Sequence, residues 1–146
     1  MNANPGANKG IKPSQLMTMK IIWGVFAITV FVFGYVLEVT EAPGSGQDPI
    51  AFQAAFGMMA LMCAGLGLWV PLVLYTNGKK SNQPYHLAIH VPWILRMVFF
   101  DQISIAGFLL AFLTGTDAAY WPFAAVTLVA YGLSFPSENR LKAIFD

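Results

Sequence analysis

One carboxylate in this chain stands where a carboxylate is expensive. Asp101 interrupts an apolar run, Pro92 to Thr114, that is long enough to cross a bilayer. Counting from Pro92 at about 1.5 Å per residue puts it roughly 13 Å into a hydrocarbon core about 30 Å thick. An ionised carboxylate facing lipid at that depth costs at least ~2.5–3.5 kcal/mol on insertion scales. Asp101 must therefore hold its proton, find a partner, or turn toward protein or water. Such a group can bind and release a proton or a small cation. It can equally serve as a polar contact that joins helices. On a helix, Ser104 and Phe108 share its face, three and seven residues on. Gln102 lies about 100° round the helix, where it can reach a neighbour. Asp101, Gln102 and Ser104 make up the candidate proton or cation site.

Arg96 is the nearest opposite charge along the chain. Five residues of helix put it roughly 140° round from Asp101. It falls about one turn inside the cytoplasmic boundary, where an arginine can extend its stem to the headgroups. That reading is preferred over an ion pair with Asp101 or with a carboxylate on another chain. His86 and His90 are spaced i, i+4, so a helix would put both rings on one face. That spacing can hold a metal or a haem. Two histidines do not complete a site, and an interfacial pair contacting headgroups or backbone is the plainer reading.

The remaining candidates are structural. Gly57, Gly65 and Gly67 in the second apolar run, with Gly107 in the third, are small enough to let helices approach closely. Pro71 should kink the second run and release a carbonyl one turn back. Glu38 is near the outer end of the first run, within reach of water. Cys63 is the one cysteine, which excludes an intramolecular disulfide and leaves a small packing residue. No phosphate-binding loop, nucleophile–base pair or HExxH sequence is present, and no enzyme is expected. The expected cofactor list is empty, apart from a proton or sodium ion at Asp101.

The elements that hold these residues follow from hydropathy. Of 146 residues 57% are hydrophobic and 10% charged, against about 25% charged in an average domain. The chain lacks the charge to cover a soluble globule. A formal charge of +1 gives no field for nucleic acid. Residues 1–20 form a polar, Gly/Pro-containing tail, expected to be flexible or to lie on headgroups. Four apolar spans follow at about 21–40, 50–76, 92–114 and 120–135, and residues 137–146 close the chain as a short polar tail. Pro92 is placed for the first turn of the third span, where its missing N–H costs nothing. The first run is followed by an acidic loop rather than a small-residue cleavage site, so it reads as a retained helix. The runs are too long and too continuously apolar for barrel strands. In lipid every backbone polar group must be satisfied internally, which leaves helices.

Charge placement orients the spans. Lys9, Lys12 and Lys20 precede the first, Lys79 and Lys80 separate the second from the third, Arg96 opens the third, and Arg140 and Lys142 follow the fourth. The other connections carry only Glu41, Asp48 and Asp117. Excess Lys and Arg marks the cytoplasmic side, so both termini are expected there. Trp23, Trp69, Trp93 and Trp121 fall near the expected span ends or within a few turns of them, as an aromatic belt expects.

The stretch Met97 to Thr114, MVFFDQISIAGFLLAFLT, resembles the carboxylate helix of the proteolipid c subunits of rotary ATPases. In those helices an acid is followed six positions later by glycine and then by an aliphatic run. Here Asp101 would be the acid and Gly107 the glycine, followed by Phe108 to Leu113. The resemblance covers the third span, and the acid is Asp where four-span members usually carry Glu in the fourth. It implies a ring-like oligomer and a carboxylate that carries a proton or sodium ion.

The expected fold is an all-α membrane protein, a four-transmembrane-helix bundle of two hairpins in a bacterial inner membrane. The expected function is that of a small non-catalytic subunit that packs with partner helices, either other membrane subunits or copies of itself. The alternatives are a c-like oligomer that binds protons or cations at Asp101 and a haem- or metal-binding electron-transfer subunit using His86 and His90.

Overall fold

The structure is a computed structural model that describes residues 12–40, 49–80 and 85–143. Every element among them is helical: α1 Pro13–Val39, α2 Pro49–Lys80, α3 Tyr85–Thr114, a 3₁₀ turn Asp117–Ala119, α4 Trp121–Leu133 and α5 Glu138–Ala143. The acidic connection holding Glu41 and Asp48, the residues before Lys12, and the side chains of Lys79, Lys80, His86, Arg140 and Lys142 lie outside the described residues.

Three boundaries differ from the hydropathy reading, each for a local reason. α1 begins at Pro13, so residues 13–20 are helix and not tail. Proline at the first helical position has its φ preset, and the Gln15 side chain accepts the Lys12 N–H at 3.1 Å. Met19 in this first stretch is buried. α2 runs on to Lys80, four residues past the expected end of the second span. α3 begins at Tyr85, which makes Pro92 an interior proline and not a first-turn one. The helix continues across it because Ala88 and Ile89, on the near side, are already part of the core. A missing N–H inside a membrane helix is tolerated where neighbouring helices cover the site, and Pro92 is buried.

α1, α2 and α3 each contain a stretch long and apolar enough to cross a membrane: Pro13–Val39, Ile50–Gly78 and Ala88–Thr114. The chain is an integral membrane protein, and many Leu, Ile, Val and Met side chains of α1 and α2 are exposed, as contact with lipid requires. α4, with 13 residues, is about 20 Å long and falls short of the ~30 Å core by itself.

α3 is the centre of the molecule. α2 packs along one side of it, while α1 and α4 pack along the other and against each other. α1 and α2 barely touch, so they do not form a packed hairpin. The hairpin from α3 to α4 is tight. Gly115 takes φ 66°, in the left-handed region that glycine enters freely, and the Thr116 N–H bonds back to the Ala111 carbonyl at 3.1 Å. The chain then returns antiparallel to α3. Gly107 meets Phe123, Asp101 meets Tyr131, and Trp93 meets Ser134.

Candidate functional site

The site is built on two matching faces. On α3, Trp93, Met97, Phe100, Ser104, Gly107 and Ala111 are buried. On the returning segment, Tyr120, Ala124, Thr127, Tyr131 and Ser134 are buried. Both sets step by four and three residues, the spacing that keeps one helix face against another. Bulk on one side meets smallness on the other. A Cβ at Gly107 would lie 2.4 Å from Phe123 Cβ and 2.8 Å from its Cγ. Only glycine permits that approach, and it brings the two helices together just above Asp101.

Asp101 is equidistant from the ends of the span Ala88–Thr114, hence at its middle. It is half-buried. The Tyr131 hydroxyl donates to Asp101 Oδ1 at 2.9 Å. Of the other residues grouped with Asp101 by sequence, neither holds its carboxylate. The Ser104 hydroxyl donates instead to the Asp101 backbone carbonyl at 3.1 Å. Gln102 is half-buried and is not a partner of the carboxylate. Arg96 does not pair with Asp101 either, as their angular separation on the helix requires.

Tyr131 is the node that joins three helices. Its ring is fully buried and stands edge-on to Phe26 of α1, with centroids 6.2 Å apart. Its hydroxyl reaches α3, and its backbone carbonyl accepts the Trp23 Nε1–H of α1 at 2.9 Å. The Ser134 carbonyl accepts the Trp93 Nε1–H of α3 at 2.9 Å. The second bond answers a specific need. The Ser134 carbonyl lies past the last turn and has no partner within the helix, while the Tyr131 carbonyl also accepts the Ser134 N–H at 3.0 Å. Two indoles thus bond to the end of α4, from a buried Trp93 and a half-buried Trp23. Trp69 and Trp121 are exposed.

Further polar contacts continue the seam. The Tyr120 hydroxyl donates to the Val30 carbonyl of α1. Gly34 lies close by, where a Cβ would come within 3.0 Å of Trp121 and 3.4 Å of Tyr120. Thr127 bonds back to the Phe123 carbonyl at 2.9 Å and stands 3.4 Å from the Phe100 carbonyl of α3.

The other sequence candidates lie apart from Asp101. His90 is half-buried in α3. Among the described residues no cluster of three or more His, Cys, Asp or Glu side chains has the arrangement to hold a metal ion. Gly67 packs against α3, since a Cβ there would sit 2.9 Å from the Phe100 ring and 3.1 Å from Phe99 Cβ. Gly57 and Gly65 do not pack: a Cβ on either meets nothing within 4 Å. Gly65 is exposed, on the side of α2 away from Gly67, while Gly57 is half-buried without a close neighbour among the described residues. Cys63 is half-buried and free.

Sequence reasoning missed Tyr131 and Tyr120, and it placed Trp23 and Trp93 in a belt without their bonds to α4. The signal was there. Tyr120, Thr127, Tyr131 and Ser134 are the polar residues of an otherwise apolar segment, and they recur at one helical face. In a membrane helix such a stripe marks the side turned toward protein.

No family model matches the chain, and neither curated proteins nor solved structures give a match.

Proposed function

We propose that this chain is a small non-catalytic membrane subunit with four crossings and both termini in the cytoplasm. Its task is to pack its apolar helices against partner subunits or further copies of itself. The observation that carries this reading is the one-sided packing of α2. It is long and apolar enough to span the bilayer, yet only 17% of its apolar stretch is buried, against 44% for α3; α1, at 11%, is as open. A helix with a single neighbour leaves surface for others. The fourth crossing rests on the returning segment. Ser134 is level with Trp93, eight residues or about 12 Å from Asp101, and so close to the ~15 Å half-thickness of the core. The basic residues of the sequence put both termini inside, and a bacterial inner membrane suits them.

Two measurements test this. Particle mass in mild detergent, with identification of whatever co-purifies, should give a stoichiometric complex or homo-oligomer; a stable lone monomer sinks the packing role. Alkaline phosphatase fused after Asp146 should be inactive, and fused at Asp117 active. The reverse pattern refutes the topology.

A second reading has one observation in its favour. The carboxylate of Asp101 stands at mid-span, and its hydrogen bond comes from a neutral hydroxyl and not from a cation. That arrangement suits reversible binding of a proton or sodium ion in a c-like oligomer. A hydrophobic carbodiimide should then label Asp101, with protection by sodium or high pH. Absence of labelling, with Asp101→Asn leaving function intact, removes this reading.

A further inference from the structure

Arg96 is the charge that the α3–α4 seam does not use. It stands five residues, about 7.5 Å, from the middle of the span Ala88–Thr114, inside the hydrocarbon. The residue is half-buried, and its Nε is sealed from solvent with no hydrogen-bond partner. Its neighbouring acid along the helix, Asp101, is bonded to Tyr131. Glu38 and Asp117 belong to the far end of the bundle. Glu138 is exposed at the start of α5, which follows α4.

The guanidinium has a definite direction and a neighbour. Side chains on a helix lean toward its N-terminus, so Arg96 leans toward the Ala88 end. α2 packs along α3, with Gly67 against Phe99 and Phe100. Eight residues further along α2 is Tyr75, buried and within electrostatic reach of Arg96. Tyr75 is three residues from the end of the span Ile50–Gly78, at the depth where headgroups begin. Arg96 and Tyr75 thus stand at the same end of the α2–α3 seam. The sequence adds Lys79 and Lys80 one turn beyond Tyr75.

We propose that Arg96 and Tyr75 form an anion site at this end of the α2–α3 seam, and that its ligand is a phosphate group, from an anionic phospholipid or free in solution. The chemistry fits in three respects. The planar guanidinium presents a fork of donors that matches two phosphate oxygens. The tyrosine hydroxyl adds a neutral donor. The sealed Nε fixes the plane of the guanidinium and leaves its Nη groups as the donors that a ligand meets. Basic pockets between membrane helices at the cytoplasmic face are where such headgroups bind. The site is independent of Asp101, so its failure leaves the packing and proton readings as they stand.

Native mass spectrometry on the full chain in neutral detergent tests it, with phosphatidylglycerol, phosphatidylcholine of the same acyl chains, and inorganic phosphate as probes. Wild-type protein is expected to retain phosphatidylglycerol in preference to phosphatidylcholine. Arg96→Gln is expected to weaken retention roughly tenfold, the lower end of what a charge-assisted hydrogen bond is worth. Tyr75→Phe should weaken it less, by about threefold, as loss of one neutral donor does. Displacement of the lipid by millimolar inorganic phosphate identifies free phosphate as a ligand; no displacement identifies the lipid headgroup. Equal retention by wild type and a helical Arg96→Gln protein overturns the proposal. If that variant does not fold, Arg96→Lys takes its place, because lysine keeps the charge and loses the fork; retention equal to wild type again overturns it.

Discussion

α2 and α3 look alike as strings of residues and behave differently as helices. Each is about thirty residues long, each carries an internal proline, and each contains a stretch able to cross a bilayer. α3 is nonetheless enclosed by α1, α2 and α4, whereas α2 has α3 as its one extensive neighbour. The two seams also differ in kind. α2 meets α3 mainly through apolar surface and one close glycine approach at Gly67, with Tyr75 and Arg96 at one end. α3 meets α4 through a glycine approach at Gly107 and a series of hydrogen bonds that α1 joins. Lipid tails are as apolar as leucine, so apolarity alone gives helices no reason to prefer each other. Close fit and polar contacts supply the preference, and α4 has both.

The sharpest way to break this contrast is to fill the glycines. Gly107→Ala drives a methyl into Phe123 and should lower stability by about 1–3 kcal/mol, as overpacking does. Thermal unfolding of the purified protein in detergent measures it. Tyr131→Phe comes next, with an expected loss of about 1 kcal/mol, within the range found for hydrogen bonds between membrane helices. Combined with Asp101→Leu it should cost less than the sum of the two single losses, because both remove the same bond. Strict additivity would show that Tyr131 and Asp101 are not coupled. Trp93→Phe keeps most of the ring and loses the cap on Ser134, so about 0.6 kcal/mol is expected on the same assay. At the bottom of the scale, Gly57→Ala and Gly65→Ala should stay within about 0.5 kcal/mol of wild type in the isolated chain. A loss at Gly65 as large as that at Gly107 would mean that α2 has a tight neighbour after all. A loss that emerges only in the assembled complex would place a partner helix on that face and sharpen the packing role.

The candidate site was half legible. Asp101 stood out because a lone acid in an apolar run violates the chemistry of its surroundings, and no tertiary knowledge is needed to see that. Ser104 and Gln102 were grouped with it on helical geometry, which tells what shares a face but not which atom a hydroxyl will choose. Ser104 chose a backbone carbonyl of its own helix, a bond always within reach of a serine there. The partner that did reach the carboxylate, Tyr131, lies thirty residues away. Its arrival depends on how tightly the Gly115 turn closes and on how near Gly107 lets α4 come.

By itself, the sequence determined that this chain is helical and lives in a membrane. Long apolar runs must satisfy their backbone groups internally, and that constraint acts on each segment separately. It also determined that Asp101 needs company. Which company was a tertiary decision, together with the enclosure of α3, the bonds from Trp23 and Trp93 to α4, and the open face of α2. Those outcomes depend on contacts between segments far apart in the chain, and a contact across a helix seam depends on the sizes of both surfaces at once.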